Sequence, residues 1–301
     1  MNPGFGKLIL LQALVAVVAI LLWHLGSAVR ADGLYRLVGW DVPRDGAYLL
    51  PPFFFSRPGD VGLRIWSMFS IGTAKLIFCQ ESFSFSQLLA TNAPCIGKTI
   101  WQHLLFTLTE GLLAFVIGSG LGVLFGFWFA RKPLLSAVFD PYLKMVNALP
   151  RVVLAPIFAL WLGLGIWSKV ALGVTLVFFI VFFNVYQGVK EVSPTVLANA
   201  RMLGMNDRQL FRHVYWPSAL SWMFSSLHTS VGFAIVGAVV GEYLGSSAGL
   251  GYLILQAEGV FDVTGVFAGM VILAAFVLLI DALVTRVERR LLKWRPPSAA
   301  G

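Results

Sequence analysis

Apolar residues run along this chain in long blocks, not in the alternation of a half-buried strand or the narrow stripe of a soluble helix. Six blocks are long enough, or nearly so, to span a bilayer: about Leu8–Trp23, Leu104–Ala130, Arg151–Leu164, Lys169–Gly188, Leu220–Leu244 and Val266–Val284. A hydrocarbon core takes roughly 20 apolar residues of helix to cross. The third block is short, so its helix is expected to begin near Leu134 and to carry polar residues that face protein. The pattern predicts an all-α membrane protein, a polytopic bundle of about six transmembrane helices.

Between two of the blocks lies a polar interlude, Glu191–Pro217, that reads as two short helices split by a glycine. Ser193-Pro194 is a helix start, a capping residue followed by proline at the first helical position. Gly204 stops that helix where a left-handed residue is needed. Asn206, with Gln209 three residues on, restarts it in capping-box style. A knob of this kind is a surface for another protein to grip.

Composition agrees with the blocks. Hydrophobic residues make up 58% of the 301 positions and charged ones 12%, against roughly 25% charged in soluble domains. The net charge of +8 would suggest nucleic acid in a soluble protein, but here it sits in membrane-flanking segments. One set of flanks carries Lys7, Arg131, Lys132, Lys190, Arg201, Arg208, Arg212, Arg286, Arg289, Arg290, Lys293 and Arg295. The flank between Glu242 and Asp262 is acidic and has no basic residue. Both termini and the interlude are therefore expected in the cytoplasm. Segment 30–99 is expected outside, since a loop that long is translocated largely regardless of charge. Lys7, the apolar run and Gly26-Ser27-Ala28 also match a cleaved leader, which would leave the other orientations unchanged.

Within segment 30–99, Asp60–Phe69 has helical apolar spacing and is expected to lie along the outer membrane face. Cys79 and Cys95 can pair if the segment meets an oxidising compartment, and two separate thiols fit the sequence equally. Gly118, Gly122 and Gly126, and again Gly237, Gly241, Gly245 and Gly249, recur at four-residue spacing, which allows close helix approach. Pro141, Pro150 and Pro156 open the third span, and such a break is tolerated where it lines a cavity.

Chemistry of its own is absent from the motifs. Asn92–Thr99 imitates the end of a phosphate loop, but its first glycine is replaced by Asn92 and no strand precedes it. His24, His103, His213 and His228 form no metal-ligand spacing. No catalytic residue, metal or cofactor is expected, and the protein is read as no enzyme. Glu110 is expected at the membrane interface, and Asp281 to pair with Arg286 or reach water. Asn147, Asn184, Tyr186, Ser226, His228 and Thr229, with Ser225, are the polar residues inside spans where a substrate pathway would be sought.

From about Ile100 to Trp294 the chain resembles the inner-membrane permeases of binding-protein-dependent ABC importers, in the branch handling nitrate, sulfonates and taurine. Ala198-Asn199-Ala200, Gly204, Val214 and Trp216-Pro217 fall on that family's cytoplasmic E-A-A-x-x-x-G-x9-I-x-L-P pattern. Asn147-Ala148-Leu149-Pro150, Trp161–Gly165, Gly241–Gly245 and Ala248–Tyr252 are further family-like strings. Three positions depart: the acidic residue is Ala198, the first alanine Asn199, and the leucine before proline Trp216. The departure at Ala198 removes one side of an ion pair that the family can make with its ATPase.

The apolar blocks and their flanking charges give an N-terminal transmembrane helix (1–29), an extracytoplasmic segment (30–99) that is longer than expected of the family, and a cytoplasmic tail (295–301), and the resemblance makes 100–294 the permease domain. It implies ATPase coupling through Ala198, Asn199, Ala200, Gly204, Asn206, Val214 and Pro217. It further implies cytoplasmic ATP-binding subunits that use the ATP, a second permease subunit in a homodimer or paired paralogue, and an extracytoplasmic solute-binding protein. Membrane lipid surrounds it and nucleic acid plays no part. The location implied is the bacterial inner membrane. A secondary active transporter is the rival reading, but it usually carries internal repeats and buried ionisable residues at the midplane, and neither is evident from the sequence.

Overall fold

Each apolar block becomes helix in the computed structural model, which describes residues 3–30, 32, 48–78 and 99–291. Cys79, Cys95 and the 295–301 tail lie outside the described residues. The described residues form no strand, only an isolated antiparallel bridge between Arg30 and Tyr48. In chain order the helices are α1 (Pro3–Ala28), α2 (Pro52–Phe55), α3 (Pro58–Phe78), α4 (Ile100–Ala130), α5 (Pro133–Ala148) and α6 (Ala155–Leu162). They continue with α7 (Ile166–Lys190), α8 (Pro194–Met202), α9 (Asp207–Leu210), α10 (Trp216–Tyr243), α11 (Leu250–Gly259) and α12 (Val263–Leu291). A 3-10 turn, Arg151–Leu154, precedes α6, and a π turn, Phe211–Tyr215, joins α9 to α10.

Five helical stretches among the described residues are long and apolar enough to cross a membrane, and a sixth is the bent pair 134–148 and 151–162. The two halves of that pair meet at 83°. The pair is therefore bent at Pro150, one of the three prolines expected to open the third span. Leu149 is extended with ψ 136°, and Pro150 after it has no N–H to carry the ladder on.

The chain divides into two compact units. In one, formed by the chain up to α3 with 99–101 and 253–272, the indole N–H of Trp23 donates to Phe55 O at 3.1 Å. There too Ser56 and Thr264 share a hydrogen bond of 2.9 Å, and Arg64 pairs with Asp262 at 2.6 Å. The helix expected over Asp60–Phe69 is present and longer, as α3.

The other unit holds α4 to α10 and the second half of α12. Its core is a seam of α7, where Val177, Val181, Val185 and Val189 are buried against Ala114, Phe127, Ala219 and Ala234. The glycine row of α4 explains the closeness. A Cβ built on Gly118, Gly122 or Gly126 would stand 2.8, 2.8 or 2.9 Å from Val177, Val181 or Val185. On the other side of α7, a Cβ on Gly237 would stand 2.5 Å from the Gly173 Cα, so α10 and α7 run backbone to backbone. Dispersion across such smooth faces holds helices together where lipid removes the hydrophobic drive.

Candidate functional site

The 191–217 interlude folds as a capped knob. Gly204, with φ +77°, ends α8 in a Schellman arrangement: Met205 N–H donates to Ala200 O at 3.1 Å and Gly204 N–H to Arg201 O at 2.9 Å. Gln209 N–H donates to Asn206 Oδ1 and Asn206 N–H to Gln209 Oε1, both at 2.9 Å, a complete capping box. Ser193 is the N-cap of α8 by position, but its hydroxyl makes no cap bond.

The knob is anchored inward and open outward. Ala200 and Leu210 are buried, whereas Ala198 and Asn199 are exposed. Phe127 of α4 stacks on Trp216 at 5.4 Å and meets the edge of Phe211 at 5.3 Å, while the Arg131 guanidinium caps Phe211. Val214 lies in the π turn and Pro217 in the first turn of α10. That turn runs straight into α10, with no loop between the knob and the long apolar helix. Met202 and Leu203, each 79% exposed, form an apolar tip on its outer side.

At the opposite ends of α4, α7 and α10 lies a buried ionic cluster that the sequence reading missed. Lys169 Nζ donates to Glu110 Oε1 at 2.7 Å and to Ser246 Oγ at 2.8 Å. Glu242 accepts from Thr107 Oγ1 at 2.6 Å and from Gly251 N–H at 2.5 Å. Thr107 Oγ1 accepts from Leu250 N–H at 2.8 Å, and Gly249 N–H donates to His103 Nδ1 at 3.0 Å. The 246–251 loop is thus wrapped around the Glu242 carboxylate. Gly249 has φ +116°, and a Cβ there would collide with that carboxyl group.

Glu110 is therefore no interface residue: it is fully buried, because Lys169 supplies the charge that replaces water. Buried ionisable residues, absent from the sequence reading, are present, and Glu110, Lys169 and Glu242 gather in this one cluster. A signal existed, since Glu110 and Lys169 stand near the starts of the second and fourth apolar blocks, which run parallel, and carry opposite charge.

The residues singled out for a pathway do not converge. Asn184 Nδ2 donates to Ile180 O, Ser226 Oγ to Met223 O and Thr229 Oγ1 to Ser225 O, all within their own helices. Tyr186 OH hydrogen-bonds to Ser136 on α5. His228 bridges two carboxylates on α12, with Nδ1 2.6 Å from Asp281 and Nε2 3.0 Å from Glu288. Asp281 thus pairs with His228 and not with Arg286, since His228 meets it across the α10–α12 contact. Asn147 alone stands at the broken span, where its Oδ1 and its backbone O accept from Arg151. Arg151 also donates to Leu176 O at 3.4 Å and lies 4.7 Å above the Phe179 ring.

Residues 118–293 match the family described as "Binding-protein-dependent transport system inner membrane component". The chain belongs to this family. It is an ABC importer permease subunit, a membrane transport component whose family works with separate ATP-binding subunits and substrate-binding proteins. A putative aliphatic sulfonates transport permease of Bacillus subtilis is 34% identical over 66% of this chain and 72% of its own. A formylaminopyrimidine transport permease of Halalkalibacterium halodurans is 38% identical over 69% of this chain and 86% of its own. The fold of this permease is similar to that of a chain in an inward-facing MetNI methionine ABC transporter, with a TM-score of 0.51 at 20% identity, over 64% of this chain and 93% of that one. The knob coincides with the stretch that carries the family pattern, Ala198 to Pro217, and the buried cluster with the strings Gly241–Gly245 and Ala248–Tyr252.

Proposed function

We propose that this permease lies in the bacterial inner membrane with both termini cytoplasmic and forms, with a second copy of itself, the path for a small solute of the nitrate, sulfonate or taurine kind. A solute-binding protein delivers the solute from outside. Two ATP-binding subunits grip the knobs from inside, and their closure on ATP tilts α10 through the rigid π turn. The permease holds no nucleotide and uses ATP only through those subunits.

The observation that carries the reading is the knob itself. It is capped at Gly204 and Asn206, anchored by Phe127 to α4, continuous with α10, and tipped with exposed Met202 and Leu203. Exposed apolar side chains on a polar loop are otherwise a liability, and a groove on an ATP-binding subunit would bury them. Relatives named for aliphatic sulfonates and for taurine support the solute class.

The test is co-purification of ATP-binding subunits encoded beside this gene with the tagged permease. Met202→Asp with Leu203→Asp is expected to lose them while the permease still inserts in the membrane. Full retention by that double variant would sink the assignment of the knob.

A further inference from the structure

Arg151 sits where an arginine is least expected. Its guanidinium reaches Leu176 O and the Phe179 ring on α7, a helix of 25 residues from Ile166 to Lys190. At 1.5 Å per residue, Leu176 is about 15 Å from one end of that helix and about 21 Å from the other. The charge therefore lies near mid-depth of the bundle, at the 83° break between α5 and α6.

No carboxylate meets it among the described residues. Lys144 has Asp140, Lys169 has Glu110, Arg64 has Asp262, and His228 has Asp281 and Glu288, but Arg151 makes no ion pair. Its contacts are neutral acceptors: Leu176 O, Asn147 O and Asn147 Oδ1. Arginine carries five N–H donors, so three acceptors leave donors over, and Nε is buried without a partner. The ring of Phe179 on one side and Asn147 on the other fix the guanidinium in orientation. The side chain stays part-exposed, beside exposed Asn147, Leu149 and Val152.

An oriented, uncompensated cation at mid-depth is what an anionic cargo requires, because an intramembrane ionisable residue is tolerated where it meets a partner on a substrate path. We propose that Arg151, positioned by Asn147 and Phe179, is the group that receives the oxyanion of the transported solute, a sulfonate or carboxylate, at the broken span. This rests on the reading of the chain as an importer permease for such a solute and names the residue that meets its charged group. Arginine suits the task because its planar fork matches such groups and cannot lose its charge. The solute leaves easily, since one charged contact holds it loosely.

The experiment uses the whole importer, permease with its ATP-binding subunits and binding protein, in proteoliposomes. The probes are labelled butanesulfonate, taurine and benzoate as oxyanions, and riboflavin and cytosine as uncharged solutes. Wild type is expected to take up at least one oxyanion on ATP. Arg151→Gln should lower the maximal rate for that probe about tenfold or more, as loss of a charged hydrogen bond would, and Arg151→Lys should recover part of it. The solute affinity of the separate binding protein stays as it was. Co-purification of the ATP-binding subunits with Arg151→Gln shows that the complex is assembled. Uptake confined to uncharged probes, uptake of none of the five by an assembled complex, or an oxyanion rate untouched by Arg151→Gln overturns the inference and leaves the permease reading in place. Failure of the permease reading looks different: ATP-binding subunits that never associate with the wild-type chain.

Discussion

Lys169 Nζ stands 2.7 Å from Glu110 Oε1, with both side chains buried and 59 positions apart in the chain. The pair ties α4 to the first turn of α7, and Lys169 also holds Ser246, in the loop around Glu242. Removing one member leaves the other charge uncompensated in a dry site, which costs about 3–5 kcal/mol, whereas replacing both by apolar residues is often neutral. Glu110→Leu should therefore lower the unfolding temperature in detergent far more than Glu110→Leu with Lys169→Met. A double variant no better than the worse single would show that the two residues are not coupled.

Gly249 is the residue that lets the loop close on the Glu242 carboxylate. Its φ of +116° strains any other residue, and the collision with the carboxyl adds to that. Gly249→Ala should destabilise the protein by more than about 1 kcal/mol and slow transport. Gly120→Ala, on an open face of α4 where nothing lies within 4 Å of a new Cβ, is the control. Equal thermal shifts for the two would remove the special role of the loop.

The parts of the structure legible in the sequence are the local ones. The spanning blocks follow from run length, and the knob from Gly204 and the Asn206–Gln209 box, each within a few residues of its partner. The glycine row of α4 was legible as a contact face, though Val177, Val181 and Val185 as its partners were not. The buried cluster was misread because Glu110 near a block edge looks like an interface residue until Lys169 and the Glu242 loop are brought beside it. Asn147 was visible as a polar residue in a span. Arg151 was read only as the start of the third block, because its meeting with Asn147 is made across the break at Leu149 and Pro150 and not along one continuous helix.

Coupling through the knob is a claim about backbone conformation at Gly204. Nothing stands within 4 Å of a Cβ there, so a side chain is opposed only by φ +77°. Gly204→Val should abolish solute-stimulated ATP hydrolysis in the assembled importer while membrane insertion stays normal. Gly204→Asn, which tolerates the left-handed region, should keep much of it. The two variants differ in backbone preference, so loss in both would point to side-chain bulk against the partner and not to the helix stop.

The direction of the whole scheme is fixed by where Asn206 faces. The basic flanks predict that it faces the cytoplasm, and the exposed capping box makes it a site where cysteine is tolerated, at about 1 kcal/mol for the lost cap. With Cys79 and Cys95 changed to serine, Asn206→Cys should react with a membrane-impermeant maleimide in inside-out vesicles and remain unlabelled in intact spheroplasts. Gly59→Cys, on open surface at the start of α3, should give the reverse pattern. Labelling of position 206 from outside would put the knob beyond reach of any ATP-binding subunit, and the transport scheme would fall with it.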